Sequence, residues 1–390
     1  MNPAIGFLAG LLLSLLLYAV GVLALGIHRR LARGSCLPDF APPVSVVKPL
    51  CGLDDGLEEN LESFFRLDHP EYEVIFSFAR PEDPAFSVAR RVADRHPERA
   101  SLFVVDDREP GGNAKVNRLI SGLRHARFQL FLLTDGNVRV RPDFLRRAVS
   151  WFRQPSVGLV SHLFTAAGAR SLGSRIESLH LNGPLRAGTA AIARFLGTPC
   201  VVGKSILVSR NALNGIGGLA ALRDFLAEDF LMGQMVRKAG YRVVLSGDEI
   251  ETAEVARTLR GVFDRHRRWA MMRRRLGGAS YGFELLAGPF PWFVAAVVAS
   301  RGQGPLPLAA AMLLAGRYAA EIAAPGPRIR PRDWILLPLR DLLAAGVFFA
   351  GLFGRSTEWR GRRMRIGPGT VILRERPSGS FDGGALIFQD

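Results

Sequence analysis

Two hydrophobic periods alternate along the middle of the chain. From residue 44 to about 247, short apolar runs of β character are separated by stretches whose apolar residues recur at helical spacing, the pattern of a mostly parallel sheet covered by helices. VSVVK (44–48), EVIFSFA (73–79), SLFVV (101–105) and QLFLLT (129–134) are the predicted strands. LEENLESFFRL (57–67), PAFSVARRVADRH (84–96) and NAKVNRLISGLRHA (113–126) are the predicted helices between them. The expected fold class is α/β, Rossmann-like, and such sheets bind ligands at the carboxyl ends of their strands.

The pattern breaks at both ends into apolar segments. Residues 4–27 form an uncharged run longer than the ~20 residues a helix needs to cross a bilayer. His28, Arg29, Arg30 and Arg33 follow that run instead of preceding it, which argues against a secretory signal peptide and places the following residues in the cytoplasm. Three further apolar stretches occupy 283–299, 305–324 and 334–353. Three full crossings would carry Arg355, Arg360, Arg362, Arg363 and Arg365 to the outer side. The expectation is therefore a two-span hairpin at 283–324, with 334–353 re-entrant or interfacial, since Pro338, Arg340 and Asp341 make it a poor simple span. The organisation expected is an N-terminal anchor (1–30), a cytosolic catalytic domain (40–260), an arginine-rich interfacial helix (261–282), membrane segments (283–353) and a basic cytosolic tail (354–390).

Composition agrees with contact to lipid: 48% of residues are hydrophobic. A net charge of +16 suits a nucleic-acid binder and a protein on an anionic leaflet equally. No helix-turn-helix, zinc-finger or RNP-like pattern supports the former, so no nucleic-acid partner is expected. Cys36, Cys51 and Cys200 are odd in number and widely spaced, which indicates neither a disulfide framework nor a zinc site.

Polar residues that end apolar strands are the first candidates for chemistry. Asp135 ends the run FLLTDGN, where a carboxylate suits a divalent ion carried on substrate phosphates and equally suits an Asx turn. Asp83 stands directly before Pro84, a helix N-cap and first-turn pairing as well as a possible nucleotide contact. Asp229, beside Glu228, suits a general base and also a first helical turn favoured by the helix dipole. Lys115 and Asn117 start a helix after a glycine pair, where a cation and free N–H groups meet phosphate or a base.

The run VFDRHRRWAMMRRRL (262–276) holds six arginines. As a helix it sets Arg265 and Arg268 beside Trp269, and paired guanidinium groups suit a diphosphate. Arg273, Arg274 and Arg275 directly precede the apolar segments and suit lipid headgroups.

In order, KPLCGLDDGLEENLESFF, EDPA with Asp83, TDGN with Asp135, AEDF with Asp229 and RHRRW (265–269) resemble the motif pattern of the ceramide glucosyltransferases. TEWRGRRMRIGPGT resembles that family's end, so the likeness runs from the first span to the tail. The resemblance implies a membrane-bound GT-A fold and inverting transfer of glucose from UDP-glucose to the primary hydroxyl of ceramide, a lipid acceptor at the membrane. It implies that Asp83 contacts uridine, Asp135 holds Mg2+ or Mn2+ on the diphosphate of the UDP-sugar, and Asp229 is the base. Arg265, Arg268 and Trp269 would line the diphosphate and acceptor site, with Lys115 and Asn117 matching the family's residues at the same helix start. The sequence has Asp135-Gly136-Asn137 where many GT-A enzymes have Asp-x-Asp, which leaves the metal largely to phosphate oxygens and water.

Three rival readings share some of these features. A sister enzyme moving N-acetylglucosamine to a hopanoid has the same motif order, and the Arg/Ala-rich composition suits a bacterial source, hence an inner-membrane location with the catalytic domain facing the cytoplasm. A processive polysaccharide synthase also uses three aspartates, but too few apolar segments follow here. A membrane-tethered basic binding protein would leave Asp83, Asp135 and Asp229 apart.

Overall fold

A computed structural model describes residues 3–373 except 38, 198–199, 328 and 360–361. Helix α1 (Pro3–Leu31) is followed by β1 (Val44–Pro49), α2 (Leu57–Phe65), β2 (Tyr72–Phe78), α3 (Pro84–Asp94), β3 (Ser101–Val105), α4 (Ala114–Leu123), β4 (Leu130–Thr134), β5 (Val138–Arg139) and α5 (Phe144–Ser150). Then come β6 (Val157–Ala167), α6 (Leu172–His180), α7 (Arg186–Phe195), β7 (Ser205–Ser209), α8 (Arg210–Gly215), α9 (Glu228–Lys238), β8 (Arg242–Ala253) and α10 (Leu259–Gly277). The remainder is α11 (Phe290–Ala299), α12 (Leu306–Ile322), α13 (Leu337–Phe353), β9 (Ser356–Trp359), β10 (Arg362–Ile366) and β11 (Ile372–Leu373).

Strands β1 to β8 form one sheet in the order β3-β2-β1-β4-β7-β6-β8-β5. The first four and the β6–β8 pair run parallel, whereas β7 lies antiparallel between β4 and β6, and β5 antiparallel to β8. The predicted strands are found within one or two residues of their expected ends. Alternate residues of each strand serve opposite faces. Val46, Phe76, Phe78 and Leu132 pack with Leu61 and Phe64 on one side, and Val47, Ile75, Phe131 and Leu133 with Val116 and Leu119 on the other. Both faces are dry, which is why the strands read as unbroken apolar runs.

Helix α1 packs on α7, α11 and α12. A β-carbon at Gly21 would come within 3.2 Å of that of Ala187 on α7, so the two backbones approach closely through small residues. Two segments, Pro3–Leu31 and Pro331–Phe353, are long and apolar enough to cross a membrane.

Helices α11 and α12 pack on each other in the stretch expected to form a hairpin, 283–324. Helix α11 has ten residues, about half of what a crossing needs, and it stands at 74° to the segment before it. The segment 331–353 is the longer one, because Pro338 falls in the first turn of α13, where no N–H is needed, and its charges are paired. Arg340 binds Asp341 at 2.6 Å and also Glu321, Arg317 binds Glu321 at 2.8 Å, and Tyr318 donates to Asp341 at 2.8 Å. The Arg317 guanidinium covers the Tyr18 ring at 3.5 Å, tying α12 to α1.

Residues flanking α13 touch the half of the molecule built on the large sheet: Arg175 of α6 binds Asp333 at 2.6 Å, and Arg275 of α10 donates to the Gly354 carbonyl at 3.2 Å. Ile335, Leu339, Leu342, Phe349 and Phe353 form an exposed apolar stripe along its other side. Part of the expected basic tail forms a three-stranded sheet of β9, β10 and β11. Its Met364, Ile366 and Ile372 pack on Leu226 and Met271.

Candidate active site

Three of the predicted residues converge at the carboxyl ends of the central strands. Asp135 follows β4, Lys115 lies in the first turn of α4, and Asp229 in the first turn of α9. Lys115 Nζ is 2.9 Å from Asp135 Oδ1, 3.2 Å from Glu228 Oε1 and 3.0 Å from the Gly203 carbonyl. Lys204, at the start of β7, takes the other Asp135 oxygen at 3.2 Å and donates to Asn137 Oδ1 at 2.7 Å. Lys48, near the end of β1, donates to the Asp135 backbone carbonyl at 3.0 Å. The Asp135 side chain is 26% exposed, so this cationic cluster remains open to a ligand.

Glycine at position 203 is required by the packing. A β-carbon there would lie 2.8 Å from Lys115 Nζ and 2.9 Å from Asp229 Oδ2. The Gly203 N–H donates to Asp229 Oδ2 at 2.6 Å, and the Phe230 N–H to Oδ1 at 2.8 Å. These two bonds fix the carboxylate of Asp229 at the head of α9.

Burial and charge set the protonation of the cluster. Burial opposes the charge of Asp135, but Lys115 and Lys204 outweigh it and hold the carboxyl well below its usual range. Burial likewise opposes the Lys115 ammonium, which Asp135, Glu228 and Asp229 hold above the usual lysine range. Burial pushes Glu228 up to about 7 against the pull of Lys115. Asp229 is raised for the same reason, whereas Lys48, fully buried, is pushed down to about 7.

The other predicted residues take different places. Asp83 caps α3 by accepting from the Ala85 N–H at 2.9 Å, and it also accepts from Gly52 N–H at 2.9 Å, joining α3 to the loop after β1. The capping alternative is thus realised. Asn117 is buried and exchanges two hydrogen bonds with the backbone of Gly111, at 3.1 and 2.9 Å, so it shapes the glycine loop.

Arg265 is buried between Glu254 at 2.8 Å and Glu177 at 3.0 Å, with its guanidinium over Trp269 at 4.7 Å. It reaches the cluster through Glu254, which accepts from Asn137 Nδ2 at 3.3 Å. The charge partners of Arg265 are these two carboxylates, Glu177 and Glu254, so its link to Asp135 runs through Glu254 and Asn137. Arg268 lies over Trp359 of β9 at 5.5 Å.

Lys48, Lys204, Glu177 and Glu254 were not among the predicted site residues. Lys48, Lys204 and Glu254 all stand at strand ends, the signal that singled out Asp135. The C-terminal sheet also reaches the site: Leu226 N–H donates to the Thr370 carbonyl at 2.9 Å and Ile372 N–H to that of Asp224 at 2.7 Å. These bonds brace the loop that leads into Glu228 and Asp229.

Among the described residues no group of three or more His, Cys, Asp or Glu could hold a metal ion. The ionised, accessible carboxylate of Asp135 still fits a divalent ion that takes its remaining ligands from phosphate oxygens and water.

Comparison places this geometry in a class. A mannosyltransferase from Pyrobaculum calidifontis, solved with GDP-Man and Mn2+, superposes with a TM-score of 0.54 over 89% of this chain and 97% of its own, at 22% identity. The fold is that of the GT-A glycosyltransferases. The model of glycosyl transferase family 21 matches residues 11–372, and the chain belongs to that family. Ceramide glucosyltransferase 1 of Caenorhabditis elegans is 28% identical over 268 residues, 68% of this chain and 57% of that protein. Ceramide glucosyltransferase of Komagataella phaffii is 26% identical over 199 residues, 46% of this chain and 39% of that protein. The match thus covers less than two thirds of the length of either relative.

Proposed function

We propose that the chain transfers glucose from UDP-glucose to the primary hydroxyl of a ceramide-type lipid, with inversion at the anomeric carbon. The observation that carries this reading is the juxtaposition of a doubly cation-paired carboxylate, Asp135, with the Glu228–Asp229 pair through one ammonium, Lys115. Cations gathered beside a carboxylate at the strand ends suit a donor whose diphosphate leaves while an alcohol loses its proton.

In this mechanism Asp229 accepts the hydroxyl proton as the lipid oxygen bonds to the anomeric carbon. The bond from that carbon to the diphosphate oxygen breaks on the opposite face, and its electron pair departs with UDP. Lys115 and Lys204 face the diphosphate and stabilise its growing charge. A divalent ion, Mg2+ or Mn2+, would be held by Asp135 and would add to that stabilisation when bound. Arg265 and Trp269 hold the wall beside Asn137, and Asp83 keeps the loop after β1 in place for the nucleoside. The acceptor arrives laterally, since α13 shows an apolar stripe to the bilayer while its other side packs on the catalytic half. In this orientation the catalytic part faces the cytoplasm.

The test is product formation by detergent-solubilised protein supplied with UDP-glucose and ceramide, read by mass spectrometry and by the anomeric configuration of the product. A β-glucosylceramide product supports the reading. Transfer only from UDP-N-acetylglucosamine to a hopanoid, or no transfer from any nucleotide sugar, contradicts it.

A further inference from the structure

A cavity of about 630 Å³ opens between the end of α10 and the small C-terminal sheet, and Arg274, Arg275, Arg355 and Arg365 line it. None of these residues belongs to the Asp135 cluster. We propose that this cavity binds the phosphate headgroup of an anionic phospholipid. The inference concerns binding alone and does not depend on the sugar or acceptor proposed above.

Arg274, Arg275, Arg355 and Arg365 bring four positive charges to its lining. Among the described residues no carboxylate forms an ion pair with Arg274, Arg275, Arg355 or Arg365, whereas Arg273 is taken up by Glu284 at 2.9 Å. Arg275 is pinned by the carbonyls of Met271 at 3.1 Å and Gly354 at 3.2 Å. Burial, and then the neighbouring Arg274, both disfavour its charge. An anion relieves such crowding, and forked guanidinium groups suit phosphate oxygens.

The position selects a lipid as the carrier of that phosphate. Arg355 stands two residues beyond the end of α13, whose last residue, Phe353, is 81% exposed at the foot of the apolar stripe. Ile366 and Leu373 give the cavity an apolar wall. An acyl chain following the stripe would bring its headgroup to the arginines.

The test titrates short-chain phosphatidylglycerol and short-chain phosphatidylcholine into the full chain in neutral detergent, with glycerol 3-phosphate and UDP as further arms. Selective, salt-sensitive binding of phosphatidylglycerol is expected. Two basic residues near a surface contribute about 1 kcal/mol each, so Arg355→Gln with Arg365→Gln should weaken binding about thirtyfold. Both side chains are exposed, so thermal stability should hold, and an unshifted unfolding midpoint checks that. Equal binding of the two lipids, or undiminished binding by the double variant, would overturn the proposal. Glycerol 3-phosphate binding as tightly as the lipid would assign the cavity to a free phosphate, and displacement of the lipid by UDP would assign it to the donor. Each of those outcomes contradicts the lipid site.

Discussion

Lys115 Nζ lies 2.9 Å from Asp135 Oδ1 and on its other side 3.2 Å from Glu228 Oε1, so a single ammonium joins the end of β4 to the head of α9. Removing one partner of a buried ion pair leaves an uncompensated charge and costs about 3–5 kcal/mol. Lys115→Ala should therefore lower stability by an amount of that order and reduce kcat/KM at least about a hundredfold. Denaturant unfolding and steady-state kinetics measure the two effects. Unchanged stability would mean that the lysine is not held as described.

Gly203 makes a separate prediction, since its backbone touches the base as well as the lysine. Gly203→Ala would set a methyl group within 3 Å of Lys115 Nζ and of Asp229 Oδ2. Overpacking of this kind typically costs about 1–3 kcal/mol. The expected result is a fall in kcat larger than the rise in KM for the donor, because displacement of Asp229 affects the proton transfer more than nucleotide binding. An equal kcat in the variant would contradict the placement of Asp229.

The pH profile follows from the direction of the Asp229 shift. A base must be ionised to accept a proton, and burial raises Asp229 above the ordinary aspartate range. The rate should thus fall as pH falls through that raised value, with an acid limb above the usual aspartate pKa of about 4. Glu228, up at about 7, adds a second protonation in direct contact with Lys115. A profile flat down to the ordinary aspartate range would contradict this electrostatic account.

The buried charges of α12 and α13 can be tested by restoring balance. Arg340→Met alone leaves Asp341 without its cation while Glu321 keeps only Arg317 at 2.8 Å, whereas Arg340→Met with Asp341→Asn also removes the orphaned carboxylate charge. The single variant should lose about 3–5 kcal/mol of stability, and the double should recover half or more of it. Thermal unfolding in detergent measures both. Strictly additive losses would mean that the two residues do not form one network.

The central strands were legible because both sheet faces are dry, so β1, β2 and β4 appear as short apolar runs with helical spacing between them. Asp135 was legible as the polar end of such a run. The same signal marks Lys48, Lys204 and Glu254, yet only the fold shows that they meet at one carboxylate. The carboxylates that hold Arg265, Glu177 and Glu254, come from distant elements and leave no local trace beside it. The pairing of Arg340 with Glu321, which lets the charges of the helix at 331–353 be buried, is invisible in a linear charge count. The C-terminal sheet left a trace in the alternation Arg363, Met364, Arg365, Ile366, which was read as basic charge and not as a strand with one buried face.

The most direct test of the account is single-turnover transfer by Asp229→Asn, with UDP binding measured on the same preparation. The account predicts UDP affinity within about threefold of the parent chain and a rate of glycolipid formation lower by roughly 100- to 10,000-fold, the usual contribution of a positioned general base. Retention of the rate within a few-fold, with UDP still bound, would show that Asp229 is not the base.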